Sequence, residues 1–206
     1  MKNIFERNID IDKTAYLNWR ITPNEDIVNM IAMAEGFISS SLELATRCLE
    51  DNHDKKADML IFPILTNANH GIELYLKSII WTLNKLMLSN SRIEGSHNLQ
   101  QLLQVVQSKL KSRKDKDLIK HFNKENDDLI KYIEELFSKI KTDGKKDNMD
   151  FSRYPLNNKY DKHFYVGCIT NVEIDLENFI LRFKRIKESL DNAASYFYDI
   201  ELMHGN

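Results

Sequence analysis

Apolar residues recur every three or four positions through most of the chain, and the pattern is clearest between residues 57 and 88. There Leu65, Ala68, Ile72, Leu76, Ile79, Leu83 and Leu86 form one row, and Thr66, His70, Glu73, Lys77 and Asn84 form a second, polar row. The spacing predicts a core helix that starts between Ala57 and Pro63 and ends near Leu88. Pro63 is expected to kink it, because proline lacks the donor that the helical ladder needs. A helix this apolar must be covered by others, and its polar row spreads over about 10 Å of one face at roughly 1.5 Å per residue. If that face is buried, a histidine, a carboxylate and an ammonium on it need partners.

The same periodicity predicts further helices on either side. Ile27, Met30, Ile31, Ala34, Phe37, Ile38, Leu42, Ala45, Cys48 and Leu49 mark a long amphipathic helix that ends at the polar run 50–56. Its start is expected at Thr22-Pro23-Asn24-Glu25, which reads as a capping box with Pro in the first helical position. Leu99, Leu102, Leu103, Val106 and Leu110 predict a shorter third helix. A fourth helical region runs from Leu118 to Ile140, with an irregularity near Asn123 to Asn126 where the apolar row lapses. Residues 141–169 lose the helical period: Gly144, Pro155 and aromatics at Phe151, Tyr154, Tyr160, Phe164 and Tyr165 suggest a pinned loop with a short hairpin using Phe164-Tyr165-Val166. Thr170-Asn171-Val172-Glu173 reads as a second capping box, opening a final helix that carries apolar residues to Ile200.

The expected fold class is therefore all-α: an up-and-down bundle of four to five long helices, with an irregular loop or short hairpin before the last one. Residues 1–22 read as an N-terminal arm anchored by Tyr16, Leu17, Trp19 and Ile21, and 23–206 as a single helical domain. A chain of 206 residues suits one well-buried domain, and 6 Gly and 3 Pro are too few for a many-stranded sandwich. The formal net charge of −2 gives no global attraction to nucleic acid or an acidic membrane. Cys48 and Cys168 lack metal-type spacing and read as reduced thiols. No signal-peptide core is visible and no window approaches a membrane span, so a cytoplasmic location with no membrane partner is expected.

Three pieces carry a resemblance: Asn-Ala-Asn-His-Gly-Ile-Glu-Leu-Tyr-Leu-Lys at 67–77, Gly95-Ser96-His97-Asn98-Leu99, and Asp150-Phe151-Ser152-Arg153-Tyr154-Pro155. In this order and spacing the chain resembles the HEPN-like superfamily of small helical bundles, over roughly residues 25 to 200. The resemblance implies a four- or five-helix bundle, commonly a homodimer or part of a larger assembly, in bacterial toxin-antitoxin or phage-defence systems. It also implies a partner protein from the same system, or RNA or a nucleotide. Many active members are metal-independent endoribonucleases with an Arg-x4-6-His motif. Histidine there moves protons as the 2′-hydroxyl attacks phosphorus, and arginine balances phosphoryl charge.

Here Arg92 and His97 have that spacing but lie across the loop before the third helix, while Arg153 and His163 come later with nine residues between them. The first expectation is accordingly a non-catalytic module holding a partner protein or a nucleotide, and the alternative a ribonuclease using His97 or His163 with Arg92 or Arg153. The ligand-binding set comprises His70, Glu73, Lys77 and Tyr154. Each group also has a plainer role: Glu73 and Lys77 as an intrahelical pair, His97 as a helix-start residue, and Arg153 as an ion pair fastening the loop. Basic clusters at 109–116, 139–146 and 182–187 read as solvated faces with interleaved acids. No metal or cofactor is expected, because His70 and Glu73 form a single i,i+3 pair and no phosphate-cradling glycine loop is present.

Overall fold

A computed structural model describes the chain except residues 1, 19, 90–94, 114–115, 141–148, 158 and 206, and the side chain of Lys116. Among the described residues it holds six α-helices and no strand: α1 Asp26–Glu50, α2 Ala57–Leu86, α3 Leu99–Ser112, α4 Lys116–Glu125, α5 Asp127–Ile140 and α6 Leu176–Ser195. The chain leaves α6 through a π-helical stretch, Tyr196–Met203. The fold is an all-α helical bundle.

The middle of the bundle is α2, where Ile64, Ala68, Ile72, Tyr75, Leu76, Ile79 and Leu83 are fully buried. Each large aliphatic side chain so covered contributes roughly 1.5–3 kcal/mol of transfer free energy. Helix α1 runs antiparallel to α2: Ser41 Oγ donates to the Ile64 carbonyl at 2.8 Å, while Ala34 and Ile38 meet α2 further along, at Gly71. Their approach is closest there. A Cβ on Gly71 would collide with Ile38 Cγ1 and lie 3.0 Å from the Ala34 carbonyl oxygen. Tyr75, fully buried, crosses to α6 and donates to Asp191 Oδ1 at 3.1 Å. Burial, and then the Asp191 carboxylate, push its phenol far above the ordinary tyrosine range.

Several sequence expectations need correction. The first capping box does not form: Asn24 takes a left-handed φ of 68°, and α1 begins two residues later at Asp26. Asn29 pairs instead with the Thr22 backbone, accepting from its N–H at 2.8 Å and donating to its carbonyl at 2.9 Å. The second box gives way to Asp175, whose Oδ1 accepts from the Asn178 N–H and caps α6. The hairpin lies elsewhere than expected, as one isolated antiparallel bridge between Leu156 and Lys162. Leu17 is exposed and anchors nothing, and Trp19 lies outside the described residues. By length and composition α1 is apolar enough to cross a membrane, contrary to the reading that no such window exists; here it packs on α2 and α6. The lapse near Asn123 to Asn126 is confirmed as the break between α4 and α5.

Gly71→Ala should lower unfolding free energy by about 1–3 kcal/mol in urea denaturation, through overpacking against Ile38. Gly36→Ala should do the reverse, gaining roughly 0.5–1 kcal/mol, since Gly36 is exposed within α1 and a Cβ there meets nothing within 4 Å. Equal effects at the two glycines would refute the close approach of α1 and α2.

Candidate functional site

The polar row of α2 opens onto a cavity of about 220 Å³. Helix α2 supplies Asn69, His70 and Glu73, α1 supplies Phe37, the segment before α3 supplies His97, and the loop 149–153 supplies Ser152 and Arg153. Sequence-distant parts thus converge on about two turns of one helix. Local bonding explains how each arrives.

His97 is set by the start of α3. Asn98 caps that helix, its Oδ1 accepting from the Gln101 N–H at 3.0 Å, and its own N–H donates to Ser96 Oγ. His97 Nδ1 then lies 2.9 Å from Glu73 Oε1. Loop 149–153 is held by hydroxyls: Thr66 Oγ1 is 2.9 Å from Ser152 Oγ, and Tyr165 donates to the Phe151 carbonyl at 2.8 Å. Phe151 is buried beneath, so the loop is tied down on both sides. Arg153 follows directly, exposed, and makes no side-chain hydrogen bond or ion pair with the described residues.

Glu73 is the electrostatic centre. Its side chain is 10% exposed, and Oε1 receives both Lys77 Nζ and His97 Nδ1 at 2.9 Å, while His70 Nδ1 stands 3.7 Å from Oε2. Burial on its own would raise this carboxyl, but His70, then Lys77 and His97, override it and hold the pKa at about 2. Glu73 is ionised at neutral pH. Beside it, Asn69 is 6% exposed; its Oδ1 accepts from Tyr132 at 2.7 Å and its Nδ2 has no partner among the described residues. Phe37 packs edge-on against His70 at 4.5 Å between ring centres.

Of the residues singled out from sequence, His70, Glu73, His97 and Arg153 line this one cavity, and Lys77 bonds Glu73 from beside it. Two are placed differently. His163 is 2% exposed, with Nε2 3.5 Å from Asp150 Oδ1 under the late loop, and it does not line the cavity. Tyr154 is exposed and takes part through its carbonyl, which accepts from Tyr165 at 3.2 Å. Arg92 lies outside the described residues. The expected ion pair of Arg153 with Glu73 or another buried carboxylate is not formed among the described residues; Lys77 and His97 occupy Glu73. Asn69, Phe37 and Ser152 were missed as site residues; Asn69 was within reach, standing four residues before Glu73 on the same face.

Among the described residues no group of three or more histidines, cysteines and carboxylates is placed to hold a metal ion. The arrangement instead has acid-base and anion-binding capacity. The Glu73 charge is cancelled by Lys77, which leaves the Arg153 guanidinium, two imidazoles and the Asn69 amide as donors. No protein family, curated protein or solved structure matches the chain.

Glu73→Gln should cost about 1–3 kcal/mol of stability at pH 7, because Lys77, only 12% exposed, loses its counter-charge. Its folded pKa is depressed, so the charged form stabilises the fold above the ordinary glutamate range, near 4.3, and that gain is lost as pH falls toward about 2. The difference between wild type and Glu73→Gln in chemical denaturation should therefore shrink steadily between those pH values. A difference that stays constant there would overturn the charged-carboxylate account.

Proposed function

We propose that the chain is an interaction module that binds a nucleotide through its phosphate at the cavity between α2, the start of α3 and loop 149–153. The observation that carries this is Arg153: a guanidinium with no partner among the described residues, lining a cavity whose carboxylate is already neutralised. A planar fork of donors suits a phosphate or carboxylate group. His70 and His97 line the same cavity. The resemblance to HEPN-like proteins supports a setting in bacterial defence or a toxin-antitoxin pair, and a homodimer or a partner protein from the same system.

A second reading is a metal-independent endoribonuclease, favoured by one observation. The His97 side chain is 68% exposed yet held by Glu73 through Nδ1, an oriented imidazole open to solvent. There it could take the 2′-hydroxyl proton while Arg153 balances phosphoryl charge. His163, buried beside Asp150, has no such access.

Equilibrium binding of a fluorescent adenine nucleotide separates the two when run beside a total-RNA cleavage assay in EDTA. The module predicts saturable binding that Arg153→Ala weakens by at least tenfold, about 1.4 kcal/mol, with RNA intact throughout. Cleavage that disappears in a folded His97→Ala variant would select the nuclease. Neither binding nor cleavage, in protein of normal stability, would dismiss the site.

A further inference from the structure

We propose that the ligand of the Glu73 cavity is a terminal phosphate monoester, bound as a dianion together with a proton that His97 takes up from solvent. This rests on the reading of that cavity as a nucleotide-phosphate site, and adds to it the ionic form of the ligand and the residue that makes binding depend on pH.

Glu73 determines which nitrogen of His97 carries hydrogen. The carboxylate, ionised with a pKa held at about 2, has no hydrogen to give and can only accept. His97 Nδ1, 2.9 Å from Oε1, is therefore the donor. A neutral imidazole has a single N–H, so with Nδ1 engaged by Glu73 the ring nitrogen left for a ligand, Nε2, is a bare acceptor. Nε2 has no hydrogen-bond partner among the described residues. An anionic oxygen brought to it meets lone pair against lone pair. Protonation reverses that contact, because the imidazolium donates from both nitrogens, to Glu73 through one and to the phosphate through the other. His97 lines the cavity and its side chain is 68% exposed, so the proton comes directly from water. His70 is not constrained in this way: its Nδ1 stands 3.7 Å from Oε2, too far to fix a tautomer.

Charge leads to the same form of the ligand. The charged and titratable groups around the ring are Glu73, His70 and Lys77 on α2 and Arg153 on the late loop; among the described residues its own segment supplies only the neutral Ser96, Asn98 and Gln101. Lys77 cancels Glu73, which leaves the guanidinium of Arg153 as the one positive charge lining the cavity while both imidazoles are neutral. A phosphodiester, with one negative charge, is matched by Arg153 alone. A terminal monoester carries about two at neutral pH, and the second is matched once His97 is protonated. The cavity, at about 220 Å³, is smaller than the roughly 300–1,000 Å³ usual for whole small molecules, so it admits the phosphate end and leaves the base outside.

Calorimetric titration of the full chain with adenosine 5′-monophosphate and with its phosphate methyl ester, each in two buffers of different ionisation enthalpy at pH 7.5, counts the protons exchanged. At that pH the monoester is already largely a dianion, its second pKa being about 6, so a proton taken up goes to the protein. Uptake of about one proton per bound monophosphate is expected, with affinity falling roughly tenfold from pH 7.5 to 8.5, little uptake for the ester, and at least about tenfold weaker binding of the ester at pH 7.5. On the wild-type chain, the carbon-bound ring hydrogens of His97 should move to their protonated NMR positions on saturation, and His97→Asn should bind with no proton uptake. Monophosphate binding without proton uptake, uptake with the His97 resonances unmoved, or equal affinity for the ester overturns this inference and leaves the nucleotide site standing. Failure of both nucleotides to bind removes the site, and the inference with it.

Discussion

An ionised carboxylate inside the most buried helix of a bundle limits what can stand around it. Glu73 shares α2 with Ile72, Leu76 and Ile79, all fully buried, and its own side chain is 10% exposed. Its charge must be met by cations brought to it, because a buried unpaired carboxylate costs several kcal/mol. Lys77 comes from the next turn of the same helix. His97 comes from 24 residues away, and its bond to Glu73 therefore also fixes where α3 begins. The packing side of α2 meets a matching constraint: Gly71, next to His70, has no side chain because α1 occupies that space. Site and core are thus set by adjacent residues of one helix.

The late loop completes the cavity by a division of labour among neighbouring residues. Phe151 is buried, Ser152 bonds Thr66, and Arg153 is left exposed. Successive side chains hold, align and present. His163 and Asp150 belong to the holding part, since the ring is buried and lies close to the Asp150 carboxylate while Tyr165 stacks on it. The groups available to a ligand are those whose anchoring is carried by someone else: His97 by Asn98 and Glu73, Arg153 by Ser152.

How much of this could be read from the sequence depended on whether the signal was periodic or competitive. The rows on α2 and the lapse at Asn126 are periodic, so the helices and the α4–α5 break were legible. Helix starts were not, because each is a contest between nearby caps. Thr22 lost to a left-handed Asn24 with Asn29 bonding the Thr22 backbone, and Thr170 lost to Asp175, which stands directly before the first residue of α6. The site shows the same split. The polar row named Glu73, Lys77 and His70, and the motif at 150–155 named Arg153, but nothing local separates an exposed histidine such as His97 from a buried one such as His163. That difference is set by long-range packing of the aromatics around the loop.

The cations of the last helix bear on whether the proposed ligand is long or short. Extended nucleic acid is gripped by a row of free lysines and arginines, each neutralising a phosphate. Of the four cations in the 182–187 run on the last helix, three are paired within the chain: Arg182 with Glu135, Arg185 with Asp128, and Lys187 with Glu35. Those contacts bind α6 to α5 and α1, and a formal net charge of −2 supplies no compensating field. A polyanion approaching this face meets mostly paired charges. Arg153 stands outside that network, beside two imidazoles and a cavity of about 220 Å³, a space suited to one or two phosphate groups and too small to track a strand. The ion pairs on α6 support the proposal of a short phosphate ligand over an extended strand.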